Sequence, residues 1–449
     1  MCNICPVVYG ELEKIMQRIV RQMIADSMEL AIPALTPRRG ALPELPDTAS
    51  VVIGMRRTGK TYRLFQKMRD LLDQGVERQR LLYLNFEDER LGDVTVDILR
   101  TIDETYLRAF PARDNAVSYY FFDEIQYVPG WERFIRRILD RHDVRFYLSG
   151  SSSRLLSREV ATAMRGRALE TRVFPFSFAE FLDARGLDVP DDLAVVGHKK
   201  SAVLEHAFSE YLRIGGFPAT LNVSDLDRRQ ILQGYVNTVV LRDVVERHGV
   251  TGITVLRYLT RRLLASSACH FSVNKFHNEL KSQGLSCGKD TLHEYLQHLE
   301  DAFLISGMFL DTPSERRRMV NPRKIYASDH GLVWESVPSG GAWGEGNALE
   351  NLVFTELQRR EMQPAYGLTA EGHEIDFIVQ EPDGHTLAIQ VCADLSDPKT
   401  LHREVRSLLE TDKHTRRLIV SLHHEQSIRE GSRSIDILPA WKWLLDNSK

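Results

Sequence analysis

The stretch Gly54-Met-Arg-Arg-Thr-Gly59-Lys60-Thr61 matches the phosphate-loop pattern G-x-x-x-x-G-K-[ST] at every defined position. A strand is predicted to enter it through Val51–Ile53, and a helix is predicted to leave it at Lys60. The two glycines let backbone N–H groups face phosphate oxygens, Lys60 reaches the β- and γ-phosphates, and Thr61 offers a hydroxyl to Mg²⁺. The sequence therefore predicts an ATP site with Mg²⁺. The candidate nucleotide-binding residues of the loop are Gly54, Arg56, Arg57, Thr58, Gly59, Lys60, Thr61 and Tyr62.

An acidic pair, Asp123 and Glu124, follows the apolar run Tyr119–Phe122. In phosphate-loop ATPases the first acid belongs to the Mg²⁺ shell, so Asp123 and Thr61 are the predicted metal ligands. The second acid, Glu124, is placed to act as general base on the attacking water. Taken alone, such a pair also fits a solvated strand end. Its position one helix–strand–helix unit after the phosphate loop favours the catalytic interpretation.

Polar and basic residues beyond the next strand are further catalytic candidates. Ser149 ends that strand and is our first candidate to sense the γ-phosphate or the attacking water, with Ser151 second. A Ser-rich turn that caps a helix explains Ser151 equally well. Arg165 and Arg167 are candidates to stabilise transition-state charge in a neighbouring subunit, as an arginine finger does. A solvated turn is the alternative for both, and a surface charge is the alternative for the two arginines of the phosphate loop.

Apolar runs alternate with amphipathic helices through the first part of the chain. Strands are predicted at residues 50–54, 81–86, 119–123 and 144–149, and helices at 60–72, 94–107 and 131–141. Strands separated by helices of this length predict a parallel sheet that is covered on both faces. The predicted fold class is therefore α/β.

Length and composition limit the class of protein. The chain has 449 residues, of which 43% are hydrophobic and 27% charged, and its net charge is −4. These values are ordinary for a globular protein of several domains, and they exclude a uniformly basic nucleic-acid-binding surface. Five cysteines are too few for a disulfide scaffold. No apolar run reaches the ~20 residues of a membrane-spanning helix, so we expect a cytoplasmic protein without a membrane partner.

An ordered series of motifs resembles a family of prokaryotic AAA-type ATPases whose C-terminal half is described as a domain of unknown function. The motifs are GMRRTGKT, FFDEIQYVPGWE, LSGSSSRLLS, MRGR, FPFSFAEFL, GGFP, LRD, and EIDFIV followed by AIQVC. The resemblance extends over most of the chain, from residue 50 to residue 420. It implies an AAA-like ATPase core, a helical lid, a winged-helix module and a C-terminal fold similar to that of nucleases. It also implies a homo-oligomeric ring, with a hexamer as one candidate.

On this basis the chain divides into five regions. They are an N-terminal helix and linker (1–46), a P-loop AAA-type ATPase core (47–175), a helical lid (176–249), a winged helix-turn-helix (250–330) and a degenerate nuclease-like domain (331–449). In the lid, we interpret Gly215 and Gly216 as a tight turn, with a border of the adenine site as the alternative.

Residues 250–330 carry a helix-turn-helix pattern. Ser272 is the predicted cap of one helix, and Lys289 begins the next. The basic segment Arg316–Arg318, with Arg323 and Lys324, is a candidate wing whose cations would bind DNA phosphates. The alternative is a lid or an interface, because the second helix is not strongly cationic. Its acidic residues are Asp290, Glu294, Glu300 and Asp301.

Glu350, Asp376 and a strand ending in Gln390-Val-Cys392 follow the order of the PD-(D/E)xK nuclease family. In that family a Glu-x-Lys motif at the last position binds Mg²⁺ and activates water. Here Gln390 offers no charged ligand, and Cys392 cannot replace the ammonium. We therefore expect a degenerate nuclease fold retained for binding or scaffolding, with Glu374 as a further remnant.

Three functions are consistent with these features. The first, which we favour, is an oligomeric AAA-type ATPase that couples nucleotide cycling to DNA binding or remodelling. The second is a nucleotide-gated regulatory or defence switch whose C-terminal half binds protein. The third is an ATP-dependent nuclease. Salt-dependent stimulation of the ATPase by DNA separates the first from the second, and Mg²⁺-dependent DNA degradation identifies the third.

Overall fold

The structure is a computed structural model that describes residues 6–92, 95–111, 116–141, 144–151, 162–193, 195–336 and 344–446. The chain forms two compact units. The first comprises Met1–Met55 and Gly59–Val173, and the second comprises Arg56–Thr58 and Phe174–Lys449. Within the described residues, no helix combines the length and the apolar character that crossing a membrane requires.

A five-stranded sheet forms the centre of the first unit. Its strands are β1 (Ala49–Ile53), β2 (Leu81–Asn85), β3 (Ser118–Asp123), β4 (Val144–Gly150) and β5 (Ala168–Arg172). The helices of this unit are α1 (Pro6–Glu29), α2 (Lys60–Asp73), α3 (Asp97–Ala109) and α4 (Trp131–Leu139). The strand order is β2-β3-β4-β1-β5, and every neighbouring pair is parallel. The predicted α/β class with a parallel sheet is therefore confirmed.

Apolar residues at strand and helix spacing build the core of this unit. All five residues of β1 are buried. One face of α2 places Leu64, Met68 and Leu71 in the same cluster as Val52 and Phe121 of the sheet. The edge strand β5 was not predicted, because its sequence Ala-Leu-Glu-Thr-Arg contains no apolar run and stays largely half-exposed.

The proline-rich segment at residues 33–46, which the sequence predicts to be a linker, packs against α2. Leu42 belongs to the core cluster that α2 helps to form. The backbone of Arg38 is held at both ends, since its N–H donates to Gln66 Oε1 at 2.8 Å and its carbonyl accepts from Gln66 Nε2 at 3.1 Å. Arg63 Nη1 donates to the same carbonyl at 3.3 Å. The segment is thus fixed to the first unit just ahead of β1.

Helices begin the second unit. They are α5 (Phe178–Ala184), α6 (His198–Ile214) and α7 (Asp225–Thr238), and α7 runs directly into a π-helical segment, Val239–Glu246. A turn at Gly215 and Gly216 follows α6. A Cβ added to Gly216 would lie 2.3 Å from the carbonyl oxygen of Phe176, and one added to Gly215 would lie 2.1 Å from Asp329 Oδ1. Close packing therefore accounts for both glycines and supports the tight turn.

A small antiparallel sheet with helices follows in the second unit. The elements are α8 (Ile253–Ala265), β6 (Cys269–Phe271), α9 (Val273–Ser282), α10 (Lys289–Asp301), β7 (Ile305–Met308), α11 (Glu315–Val320) and β8 (Arg323–Ala327). The strand order is β6-β8-β7, and both pairs are antiparallel. Ser272 caps α9 as predicted, since its Oγ accepts from Lys275 N at 3.4 Å.

The remaining elements form a six-stranded sheet with helices. They are α12 (His330–Ser336), α13 (Glu345–Arg359), β9 (Ala365–Leu368), β10 (Glu374–Gln380), β11 (Thr386–Val391), α14 (Pro398–Leu409), β12 (Arg416–Ser421), β13 (Gln426–Glu430), β14 (Arg433–Pro439) and α15 (Ala440–Leu445). The strand order is β13-β14-β12-β11-β10-β9. The pairs β11–β12 and β12–β14 are parallel, and the others are antiparallel. The predicted strands at β10 and β11 are confirmed.

Candidate nucleotide site

The phosphate loop connects β1 to α2 through three residues with left-handed backbone. Gly54, Arg57 and Gly59 have φ angles of 145°, 69° and 97°. Glycine adopts such angles without a Cβ clash, so both glycines of the pattern stand where the turn requires them, whereas Arg57 carries local strain. Gly59 immediately precedes α2, so the free N–H groups of the first helical turn lie beside the loop. Such a helix N-terminus favours phosphate.

Lys60 is the buried cation of the site. Only 5% of it is exposed. Its Nζ donates to the carbonyl oxygen of Met55 at 3.1 Å and lies 3.7 Å from Glu124 Oε1. The ammonium therefore lies between the loop backbone and the second acid of the pair, within reach of anionic oxygens that the loop would bind.

Asp123 accepts hydrogen bonds from three different elements. Thr61 Oγ1 donates to Asp123 Oδ2 at 2.7 Å, and Tyr83 Oη donates to the same oxygen at 2.9 Å. Ser149 Oγ donates to the other oxygen, Oδ1. Burial raises the pKa of the Asp123 carboxyl above its ordinary value, and the hydrogen bond from Ser149 opposes that rise. A bound cation would act in the same direction as Ser149, because positive charge favours the carboxylate.

Glu124 is held through its backbone and its side chain. Its N–H donates to Ser149 Oγ at 3.1 Å, and the Gln126 amide donates to its carboxylate. Its φ of 54° is left-handed, a strained state for a residue with a Cβ. The Ser149 hydroxyl thus joins the two acids, because it donates to the carboxylate of Asp123 and accepts from the backbone of Glu124.

The order of the sheet brings these groups together. β4 lies between β1 and β3, with Ser149 paired to Val52 on one side and Leu148 paired to Phe122 on the other. The phosphate loop, Ser149 and the two acids therefore lie at the carboxyl ends of three adjacent parallel strands. Ligands of open α/β sheets bind at this edge.

The donors and acceptors present fit a magnesium nucleotide. A hydroxyl and a carboxylate, both ligands that Mg²⁺ uses, lie 2.7 Å apart at Thr61 and Asp123. Lys60 and the N–H groups of the loop supply the positive potential that a triphosphate needs. Glu124, within 3.7 Å of the Lys60 ammonium, brings a carboxylate close to the same place.

Other predicted loop residues lie differently. Arg56 Nε donates to both carboxylate oxygens of Asp243, at 2.9 Å and 3.1 Å, so this guanidinium takes part in an ion pair within the second unit. Thr58 is 1% exposed. Arg57 and Tyr62 are exposed to solvent. Arg56 thus has a protein partner in this structure. A phosphate-binding role for Arg56, and for Arg57, Thr58 and Tyr62, stays a prediction.

Arg165 and Arg167 lie in the turn before β5. Arg165 is exposed and has a φ of 53°, and Arg167 Nη1 forms an ion pair with Asp140. Among the contacts of the described residues, neither arginine touches Asp123 or Glu124. Their role in a site completed by a neighbouring subunit stays a prediction.

Two residues of the candidate site, Tyr83 and Arg38, were not predicted from the sequence. Tyr83 donates to Asp123, and burial together with the charge of that acid raises the pKa of Tyr83 far above its ordinary value, so it stays a donor. Arg38 is 8% exposed, and a Cβ added to Gly59 would lie 3.1 Å from Arg38 Nη2. Its guanidinium therefore lies against the phosphate loop. Neither residue belongs to a local motif, and only the fold brings them to the site.

A second charged cluster lies in the second unit around Lys324 of β8. Lys324 Nζ lies 2.6 Å from Glu374 Oε1, 2.9 Å from Glu350 Oε1 and 3.3 Å from Asp376 Oδ1. Burial, and after it the charge of Glu350, raises the pKa of Asp376 to about 7. Burial also acts to raise the pKa of Glu374, but its hydrogen bond to His270 and the charge of Lys324 lower that pKa to about 2.

The sequence places Lys324 in a DNA-binding wing, and that prediction is wrong. Lys324 is only 4% exposed, and three carboxylates hold its ammonium, so it cannot reach a phosphate. Arg323 is also engaged, with Nη1 3.3 Å from Glu300. At the nuclease-type position, Gln390 Oε1 accepts from the N–H of Asp376 at 2.8 Å. Cys392 supplies no ammonium at the nuclease-type position. The ammonium beside these acids comes from Lys324, on β8.

Comparison with known proteins adds the family context. The family profile described as AAA domain matches residues 46–182, and the Domain of unknown function (DUF8612) matches residues 205–336. An uncharacterised protein of Methanocaldococcus jannaschii is 30% identical over 441 residues, which cover 95% of each chain. An uncharacterised protein of Haemophilus influenzae is 30% identical over 401 residues, which cover 89% of this chain and 94% of the relative. A solved structure, the Walker-type ATPase of Pyrococcus abyssi, aligns at 15% identity with a TM-score of 0.39 over 71% of this chain and 95% of its own.

The AAA match contains the phosphate loop and the two acids at the end of β3. The two relatives align far beyond it, so the likeness extends through the second unit as well. This protein is therefore a member of the family that includes the Methanocaldococcus jannaschii and Haemophilus influenzae proteins, and its N-terminal region is a P-loop AAA-type ATPase domain.

Proposed function

We propose that this protein binds ATP with Mg²⁺, hydrolyses it to ADP and phosphate, and works as a homo-oligomer that couples this cycle to DNA binding or remodelling. One observation carries the ATPase proposal. Asp123 and Glu124 are joined by the Ser149 hydroxyl, beside Lys60 and Thr61 of the phosphate loop. These residue types are the ones that phosphoryl transfer to water requires.

Each side chain has one task in the proposed reaction. The loop N–H groups and Lys60 bind the β- and γ-phosphates and neutralise charge on them. Thr61 and Asp123 would hold Mg²⁺, which supplies further charge neutralisation at the phosphates. The Glu124 carboxylate accepts a proton from water as the water oxygen bonds to the γ-phosphorus. The bond from that phosphorus to the β–γ bridging oxygen breaks, and ADP leaves. Ser149 acts as a positioning residue, because it fixes the distance between the two acids.

An arginine from a neighbouring subunit would complete the site. Arg165 supports this part of the proposal, because it is exposed in a turn and has no ion pair among the described residues. Arginine fingers of this kind are worth ~10³–10⁵ in rate. Arg167 is the less suitable of the two in this chain, since Asp140 already pairs with it.

The region of α8 to β8 supports the DNA part of the proposal. Its order of helix, strand, two helices and two further strands joined by the short helix α11, with an antiparallel β6-β8-β7 sheet, supports the winged helix that the sequence predicts. We propose that the β7–β8 connection, which contains α11, forms the DNA-binding side. The six-stranded region then acts as a scaffold, since Lys324 already satisfies the acids that a nuclease would use on metal.

Turnover by a Glu124→Gln variant tests the catalytic assignment. Glutamine keeps the shape and the Ser149 contact of the backbone, but it cannot accept the proton from water. We expect ATP binding to persist and kcat to fall by at least ~100-fold, as for the loss of a general base. Glu89→Gln, an exposed acid of the same unit, is the matched control and should turn over normally. Wild-type turnover in Glu124→Gln would remove this residue from catalysis.

The DNA coupling is tested separately by the ATPase rate of the wild-type chain with no DNA, single strands or duplex. We expect DNA to raise the rate and the rise to shrink between about 50 mM and 200 mM salt, because phosphate contacts release counterions. A rate that no DNA changes at either salt concentration would favour the nucleotide-gated switch that binds protein.

A further inference from the structure

The β7–β8 connection exposes two adjacent apolar side chains. Met319 and Val320, the last two residues of α11, are each 77% exposed. Single exposed apolar residues are common on proteins, but a methionine and a valine that stand together at the end of a connection need a partner to be buried.

The same short helix carries a local positive charge. Its six residues include three arginines, Arg316–Arg318, and one acid, Glu315, so it has a charge of +2 in a protein of net charge −4. Arg318 pairs with Glu315 at 2.9 Å. Arg316 and Arg317 are exposed, and within the part of the chain that the structure describes neither pairs with a carboxylate. Two cations are thus available to an anionic partner.

Local hydrogen bonds cap both ends of α11, and one further bond ties the segment that follows it to β9. Ser314 Oγ accepts from Arg317 N at 3.3 Å, and Asn321 Nδ2 donates to the Arg317 carbonyl at 2.7 Å. The carbonyl of Pro322 accepts from Tyr366 Oη at 2.9 Å. The exposed groups therefore stand on an anchored element, which lowers the entropy cost of binding.

The neighbouring helix α10 does not offer the same charge. Its exposed face carries Lys289, Asp290, His293, Glu294 and Gln297, which is not cationic overall. Between these two helices, the available positive charge therefore lies on α11 and not on the helix that a helix-turn-helix protein would place in the major groove.

We propose that α11 is the duplex-DNA contact of this protein, with Arg316 and Arg317 on backbone phosphates and Met319 and Val320 wedged into the minor groove between base pairs. The proposal rests on the DNA partner of the proposed function and names the surface that would bind it. Cations flanking an apolar wedge are the combination that minor-groove binders use to unstack and bend a duplex.

Other partners fit these observations less well. A membrane-binding helix needs a longer apolar face than six residues provide. A second copy of this chain would bring like charges together at the arginines, and a stable interface buries ~800 Å² per partner, far more than two side chains supply.

The test uses the full chain and a duplex that contains 2-aminopurine, whose fluorescence rises when a base unstacks. Affinity is measured by anisotropy over a range of salt concentrations. Arg316→Gln with Arg317→Gln should lower the slope of log K against log salt by about 1.8, at about 0.9 per phosphate contact. Met319→Ser with Val320→Ser should keep that slope, weaken binding roughly tenfold and abolish the fluorescence rise. Arg100→Gln with Arg108→Gln, on the exposed side of α3, is the charge-matched control. It should change neither the salt slope nor the fluorescence rise.

The outcomes separate this inference from the ATPase assignment. All three double variants should retain the wild-type ATPase rate without DNA, because none alters the nucleotide site. Duplex affinity that is insensitive to both α11 variants would overturn the inference, whatever the ATPase rate. Tight binding to phosphatidylserine vesicles would also overturn the inference if Met319→Ser with Val320→Ser abolished it and left duplex binding intact. Absence of ATPase activity in the wild-type chain, with duplex binding still dependent on α11, would instead remove the proposed catalytic function and keep the contact.

Discussion

At the scale of single residues, one hydroxyl connects the two acids of the site. Ser149 is fully buried, donates to Asp123 and accepts from the N–H of Glu124 at 3.1 Å. A hydrogen bond to a charged group contributes ~1.5–3 kcal/mol, more than a neutral one. Ser149 therefore fixes both the carboxylate assigned to Mg²⁺ and the backbone that carries the general base.

Replacement of Ser149 by alanine should slow catalysis more than it weakens binding. The variant loses a charge-assisted hydrogen bond, so we expect kcat to fall roughly 10- to 100-fold, with KM within about threefold of wild type. Ser151→Ala is the matched control, because this serine is also fully buried and its hydroxyl has no hydrogen-bond partner among the described residues. Steady-state ATPase kinetics that show the larger loss for Ser151→Ala would reverse our choice between the two serines.

The residues that sequence could predict are those of local motifs. Gly54, Gly59 and Lys60 follow from a fixed spacing, and the first two indeed have the left-handed φ that the turn requires. Tyr83 and Arg38 could not be predicted, because β2 and the proline-rich segment reach the site only through tertiary packing. Lys324 shows the same limit, since a basic residue beside a basic segment gives no sign that three distant carboxylates will bury it.

At the scale of elements, periodicity gave the strands of the first unit within one or two residues but not their order. The pairing of β4 with both β1 and β3 depends on long-range contacts that a local pattern does not encode. The strand β5, which has no strong apolar pattern, was missed. In the second unit only two strands of the six-stranded sheet, β10 and β11, were predicted, although β14 alternates in the same way.

The cluster around Lys324 ties three elements together by charge. It joins β8 to α13 through Glu350 and to β10 through Glu374 and Asp376. One ammonium faces three carboxylates, so full ionisation would leave an excess of buried negative charge. Burial is the main cause of the raised pKa of Asp376, and the negative charge of Glu350 adds to it.

The stability of the protein should therefore depend on Asp376 between about pH 4 and pH 7. Unfolded Asp376 loses its proton near pH 4, whereas the folded group keeps it until its pKa of about 7. The folded state binds more protons in this window, so the contribution of Asp376 to stability is greatest below it and is lost as pH rises. Asp376→Asn should remove a slope of up to ~1.4 kcal/mol per pH unit, which urea unfolding at pH 5, 6 and 7 measures.

Asp383→Asn, an exposed aspartate in the turn between β10 and β11, serves as the control for this pH series and should keep the wild-type slope. The same slope in Asp376→Asn and in wild type would mean that Asp376 is ionised in the folded protein throughout this range. The ammonium of Lys324 would then face three ionised carboxylates in the folded protein.

At the scale of the whole molecule, the net charge and the positions of the matched regions limit where ligands bind. A net charge of −4 gives no general affinity for DNA, so any DNA contact must be local, as at α11. The phosphate loop and both acids of the candidate nucleotide site lie in the region that matches the AAA domain. Likeness to the two relatives extends through nearly the whole chain, so the second unit is shared with them.

The most direct test of the account is equilibrium binding of ATP, with Mg²⁺, to the wild-type chain and to two lysine variants of α2. Lys60→Ala removes the ammonium that lies between Met55 and Glu124, whereas Lys67→Ala removes one that pairs with Glu44. We predict that Lys60→Ala weakens ATP binding beyond detection by calorimetry and that Lys67→Ala binds as the wild type does. Wild-type affinity in a folded Lys60→Ala protein would contradict the assignment of this loop as the nucleotide site.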